Sequence, residues 1–71
     1  MMQRQEATSL AVQEYMDREG ASLREVADLL DLPLTSFWGR LRGKRQWTPT
    51  DMDRIAARLD VDLPAFGEVS A

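Results

Sequence analysis

The chain contains no histidine and no cysteine. Without cysteine, neither a disulfide nor a thiolate metal site can staple so short a chain. Without histidine, imidazole general-base chemistry and histidine–metal sites are excluded. No apolar run approaches the roughly 18–20 residues needed to span a bilayer. The opening stretch Met1-Met2-Gln3-Arg4-Gln5-Glu6 has no hydrophobic core of a secretion signal, so a cytoplasmic location is expected. There is no β-branched alternation, which leaves helices as the expected secondary structure throughout. A glycine-rich phosphate loop is also missing, and the acids are spread at ordinary spacings rather than paired. No catalytic residue, cofactor, metal or small-molecule substrate is therefore expected.

The most informative absence is of negative charge. Between Asp31 and Asp51 there is no acid, yet Arg40, Arg42, Lys44 and Arg45 fall in this stretch of 19 residues. The whole chain of 71 residues has nine Lys and Arg against twelve Asp and Glu, a net charge of −3. The acid-free stretch thus holds +4 and the remainder holds 5 − 12 = −7. A cationic helix and loop on an anionic body is the charge pattern of a polyanion-binding surface. The acidic remainder weakens non-specific attraction, so one oriented face has to do the binding.

The length and the 44% apolar content allow one small domain with a modest core and marginal stability. Its expected layout is a flexible start over 1–7, a helical domain over 8–66 and a flexible end over 67–71. Thr8 or Ser9 could cap a first helix carrying Val12, Tyr15 and Met16, and Gly20 would end it. Ser22-Leu23-Arg24-Glu25 reads as a capping box, followed by Leu23, Val26, Ala27 and Leu30 on one helical face. Asp31-Leu32-Pro33 breaks that helix, since proline restricts the residue before it and can open the next one. A third helix is expected over 33–41, with Phe37 and Leu41 toward the core. A loop, Arg42-Gly43-Lys44-Arg45-Gln46-Trp47, comes next. Thr48-Pro49-Thr50-Asp51 is a start signal for a fourth helix with Met52, Ile55, Ala56 and Leu59 as its buried stripe. Asp62-Leu63-Pro64-Ala65-Phe66 would make a last short helix or turn.

Two helices joined at Asp31-Leu32-Pro33 suggest a helix-turn-helix over about 22–41, with the second helix in the acid-free stretch. Ala27, Leu32 and Phe37 fall where that motif packs its helices together. Here the sequence resembles the Cro and lambda-repressor type of DNA-binding domain, the Xre family. The resemblance is carried by residues 20–30, by Phe37 to Arg45 and by Ile55-Ala56-Ala57-Arg58-Leu59-Asp60-Val61, and it covers about 8–66. The segment from Arg40 to Thr48 looks particularly like small regulators of actinobacteria and their phages. The chain departs from the family in having Asp31 and Asp60 where glycine is usual. Asp tolerates left-handed backbone better than most residues, although Asp31 puts a negative charge near the DNA side. The resemblance implies an all-α, compact bundle of about five short helices.

It also implies roles for individual residues. Helix 33–41 would enter the major groove, presenting Leu34, Thr35, Ser36, Trp38 and Gly39 to the bases. The hydroxyls of Thr35 and Ser36 could meet either a donor or an acceptor edge, or instead cap the helix after Pro33. Gly39 would allow close backbone approach, or merely lower helix propensity. Trp38 faces either the core, in a stripe with Leu34, Phe37 and Leu41, or the DNA. Arg40, Arg42, Lys44 and Arg45 would grip phosphates. Arg24 would reach a flanking phosphate, or simply be an exposed helix charge. Trp47 packs under the loop and fixes Lys44 and Arg45, or lends its indole N–H to a phosphate. Thr48 caps the fourth helix, whose free amides would also suit a phosphate. Val61, Leu63 and Phe66 lie in the region such proteins use to dimerise, or they close the core. The expected function is a sequence-specific regulator, a phage or bacterial repressor, bound to a double-stranded DNA operator, with a homodimer, constitutive or formed only on DNA, as the expected assembly. The rival is a protein-interaction module, an antirepressor or adaptor using the same fold without DNA.

Overall fold

Four helices follow one another in the computed structural model, which describes residues 4–63: α1 Arg4–Glu19, α2 Leu23–Leu29, α3 Leu34–Leu41 and α4 Pro49–Arg58. No strand occurs among the described residues. The start of α1 differs from the sequence expectation. The helix begins at Arg4 and runs through Thr8 and Ser9 without a cap at either. Thr8 is fully buried, and its hydroxyl donates to the Arg4 carbonyl at 2.8 Å, one helical turn back. A short hydroxyl side chain can serve a helix end or bond back within a helix, and here it does the second.

The remaining punctuation is as the sequence suggests. Gly20 takes a φ of 65°, and the Ala21 amide returns to the Met16 carbonyl at 3.1 Å. Ser22 and Glu25 form the reciprocal capping box that opens α2. That helix closes in a Schellman motif, with Leu32 N–H on Ala27 O at 2.9 Å and Asp31 N–H on Asp28 O at 3.2 Å. The motif needs a left-handed residue, and Asp31 supplies it at φ 55°. Asp60 does the same after α4, at φ 54°. Both aspartates therefore occupy left-handed positions that glycine would fill without strain. Two arginines of α4 cover the end of α2: Arg58 donates to the Leu29 carbonyl at 2.8 Å and Arg54 to the Leu30 carbonyl at 3.2 Å.

The core is one cluster of Val12, Val26, Ala27, Leu30, Phe37, Leu41, Trp47, Met52, Ile55 and Leu59. Burying a side chain the size of Phe37 or Ile55 stabilises the fold by about 1.5–3 kcal/mol. Ala27 and Phe37 are buried in that cluster and Leu32 packs against it. Ala56 differs from expectation in being exposed; the buried face of α4 runs through Asp51, Met52, Ile55 and Leu59. Trp47 is also more than a prop for the loop. It is 2% exposed and meets Phe37 edge-to-face at 6.0 Å between ring centroids. Asp62 and Leu63 are not helical, and the rest of the expected last helix lies outside the described residues.

Candidate nucleic-acid interface

The exposed side of α3 and the loop that follows it form a rigid unit built from four directions. Phe37 and Leu41 anchor α3 in the core. The Gly39 carbonyl accepts the amides of Lys44 at 2.8 Å and Arg45 at 3.1 Å, which folds the loop back on the helix. Gly43 makes that reversal possible at φ 84°. The far end of the loop is held by α1. Gln5 Nε2 donates to the Trp47 carbonyl at 2.9 Å, and Trp47 N–H donates to Gln5 Oε1 at 2.6 Å. The Trp47 indole N–H donates to Ser9 Oγ at 2.8 Å. This bond removes the alternative in which the indole contacts a phosphate.

A second brace joins α3 to α4. Arg40 Nε donates to Asp51 Oδ2 at 2.8 Å, with side chains 16% and 5% exposed. The same carboxylate oxygen accepts the Thr48 amide at 2.9 Å, completing a capping box with Thr48 Oγ. Thr48 thus acts as the helix cap. Arg40, expected among the phosphate contacts, is spent on this internal pair and on the Ser36 carbonyl at 3.3 Å. Its partner lies eleven residues away, at the acid that closes the acid-free stretch, so the pairing has no local signal in the sequence.

The pairing of the other cations sorts them cleanly. Arg18 pairs with Glu19, Arg58 with Asp31, and Arg54 bonds a carbonyl. Arg24, Arg42, Lys44 and Arg45 are exposed and pair with no acid among the described residues. Three of these four lie in the loop after α3, and Arg24 lies in the first turn of α2. The negative charge of Asp31 is largely answered by Arg58, whose hydrogen bond and charge hold the carboxyl below its ordinary range. Glu25 is likewise lowered, chiefly by the Ser22 backbone amide it accepts in the capping box.

On α3 itself, Leu34 and Thr35 are exposed and Ser36 is half-buried. Pro33 brings no side-chain cap, so neither hydroxyl closes the helix end from that position. The first-turn amides of α3 are accordingly open to an external acceptor. Trp38 is 42% exposed and lies outside the core, with the Arg42 guanidinium 5.2 Å above its ring. The core orientation is thereby excluded for Trp38. Gly39 is half-covered by the Arg45 side chain. Val61 and Leu63 are half-buried against the core, while Phe66 lies outside the described residues.

The contributions of Gln5 and Ser9 were not legible in sequence. Gln5 sits in a stretch that carries no motif, the Ser9 hydroxyl reads as a helix cap, and their shared partner lies about forty residues on. Among the described residues no group of acids could hold a metal ion, and no helix is long and apolar enough to cross a membrane. Against family models, curated proteins and solved structures, the chain has no match.

Proposed function

We propose that this chain is a helix-turn-helix DNA-binding domain of the Cro and lambda-repressor type, acting as a sequence-specific transcription regulator. The supporting observation is the sorting of cations. Those with no acid partner among the described residues are Arg42, Lys44 and Arg45, in the loop that follows α3, and Arg24, in the first turn of α2, while the others considered above are tied up elsewhere. In this reading α2 and α3 are the two helices of the motif, and α3 enters the major groove. Thr35 and the exposed Leu34 and Trp38 face bases, and Arg42 and Lys44 grip phosphates. Occupying an operator would then block or recruit polymerase. Two copies bound to a palindrome would supply the contact length that one small domain lacks.

The test is fluorescence anisotropy with duplexes selected from a random pool, repeated at two salt concentrations. Three or four neutralised phosphates give a log–log salt slope of about −2.7 to −3.6, so affinity drops by about 40- to 150-fold between 50 and 200 mM salt. Arg42→Ala with Lys44→Ala should weaken all duplexes alike and flatten the slope by about two. Unchanged affinity in that variant would remove the phosphate grip.

A second reading has its own observation. Leu34 is 36% and Trp38 42% exposed, and a groove floored by Met16, Leu23 and Leu41 runs beside Trp38 between α1 and α3. Such a surface would suit a protein partner, as in an antirepressor or adaptor. Binding through it would be nearly indifferent to salt, and no duplex would be enriched.

A further inference from the structure

Gly39 occupies the outermost position of α3, about 200° round the helix from Phe37 at 100° per residue. A side chain there would be the best placed of all to enter a groove, and there is none. Yet Gly39 is only half exposed. A Cβ built on it would stand 3.3 Å from Arg45 Cδ, 3.5 Å from Cγ and 3.7 Å from Nε. The Arg45 stem therefore lies against the place where a side chain of residue 39 would begin. The backbone at Gly39 does not call for glycine, because only Gly20 and Gly43 among the described glycines have positive φ. In a helix interior glycine lowers stability, so what the missing side chain provides is room. The loop is held to that arrangement by the two amides on the Gly39 carbonyl, and no acid among the described residues pairs with Arg45.

On the DNA-binding reading above, on which this depends, we propose that Arg45 is the main specificity-determining side chain and that it reads a guanine. The stem of Arg45 lies against Gly39, which shares a side of α3 with Thr35 one turn earlier, and from there its planar fork would reach the groove that Thr35 faces. The fork matches the paired acceptors O6 and N7 of guanine in the major groove. Adenine sets a donor beside its N7, cytosine presents a donor, and thymine offers one acceptor, so none of them satisfies both arms. Arg45 thus leaves the set of phosphate contacts, and Gly39 is its positioning residue.

The experiment compares wild type with Arg45→Ala, Arg45→Lys, Gly39→Leu and the double variant Gly39→Leu with Arg45→Ala. Each is titrated against the selected duplex and its single base-pair substitutions at two salt concentrations, after circular dichroism has shown intact helix. For wild type, replacing one particular guanine should weaken binding by between about 5- and 150-fold. Arg45→Ala and Arg45→Lys should both lose that discrimination, Arg45→Lys while keeping the salt slope. Gly39→Leu should lose it too with Arg45 still present, and the double variant should be no worse than Arg45→Ala alone. Gly39→Ala, which displaces Arg45 by only a few tenths of an ångström, should lie between wild type and Gly39→Leu. Full discrimination by Arg45→Lys would overturn the proposal, because charge alone would then suffice. A uniform loss across all duplexes in Arg45→Ala would also overturn it, while leaving the DNA-binding reading intact. If wild type binds no duplex even at low salt, both fall together.

Discussion

Replacing Asp51 with alanine removes a group that does two jobs with one oxygen. Its carboxylate accepts from the Thr48 amide at 2.9 Å and from Arg40 at 2.8 Å. Losing its half of the capping box costs about 0.5–1 kcal/mol. Removing one partner of a fully buried ion pair costs about 3–5 kcal/mol. Arg40 keeps a bond to the Ser36 carbonyl and part of its surface in water, so that figure falls to about 1.5–2.5 kcal/mol here. Together the loss is about 2–3.5 kcal/mol, out of about 4–10 kcal/mol for a domain this size. The melting temperature should fall by about 8–28 °C, at 4–8 °C per kcal/mol. Unfolding can be followed by tryptophan fluorescence, because Trp47 passes from a dry core into water. Asp53→Ala, at an exposed position on the same helix, is the control and should change stability by under about 0.5 kcal/mol. Asp51→Asn keeps an oxygen for both donors and loses only the charge, so it should fall between. A Asp51→Ala protein as stable as the Asp53→Ala control would refute the bracing role assigned to the pair.

Three further outcomes are expected. Gln5→Ala leaves the Trp47 amide and carbonyl without their partner, and should cost about 1–3 kcal/mol in urea unfolding; amide exchange at residues 44–47 should quicken as well. Trp47→Ala should cost about 3–5 kcal/mol, while Trp38→Ala, at an exposed site, should cost under about 1 kcal/mol and leave the far-ultraviolet spectrum unchanged. Acid titration tests the lowered carboxyls of Asp31 and Glu25. Their folded values lie below the unfolded ones, so the unfolded chain binds more protons in that interval. Their stabilisation is complete above the ordinary carboxylate range and is lost as pH falls through the folded values. Ser22→Ala and Arg58→Ala should each flatten the stability–pH curve there, and curves parallel to wild type would refute the assignment.

The elements written in local chemistry were the legible ones. The Ser22–Glu25 and Thr48–Asp51 boxes, Gly20 and Pro33 each act within a few residues, so the starts of α2, α3 and α4 and the ends of α1 and α2 follow from sequence. Asp31 and Asp60 were readable as glycine substitutes through the family resemblance, and both are left-handed in the structure. What escaped were contacts between distant residues. Nothing near Gln5 or Ser9 signals that they hold Trp47. Thr8 carries the same hydroxyl as a cap and bonds within the helix instead. At the candidate interface, sequence gave the charge of the 40–45 stretch but not its division. Arg40 faces Asp51, Arg42 lies over Trp38 and Arg45 crosses Gly39, and only three-dimensional packing separates those fates.

The bonds from Gln5 and Ser9 to Trp47 also bear on how the molecule opens. They join the beginning of α1 to the end of the basic loop across about forty intervening residues. A loop secured only by its flanking helices would fluctuate on its own, and its amides would exchange with solvent in small local excursions. This one cannot swing free unless the first turns of α1 let go, and Trp47 cannot leave without exposing the core. The basic loop and the start of α1 therefore form one cooperative opening unit. The Trp47 amide should exchange in step with the first turns of α1 and out of step with α3, the helix it directly follows.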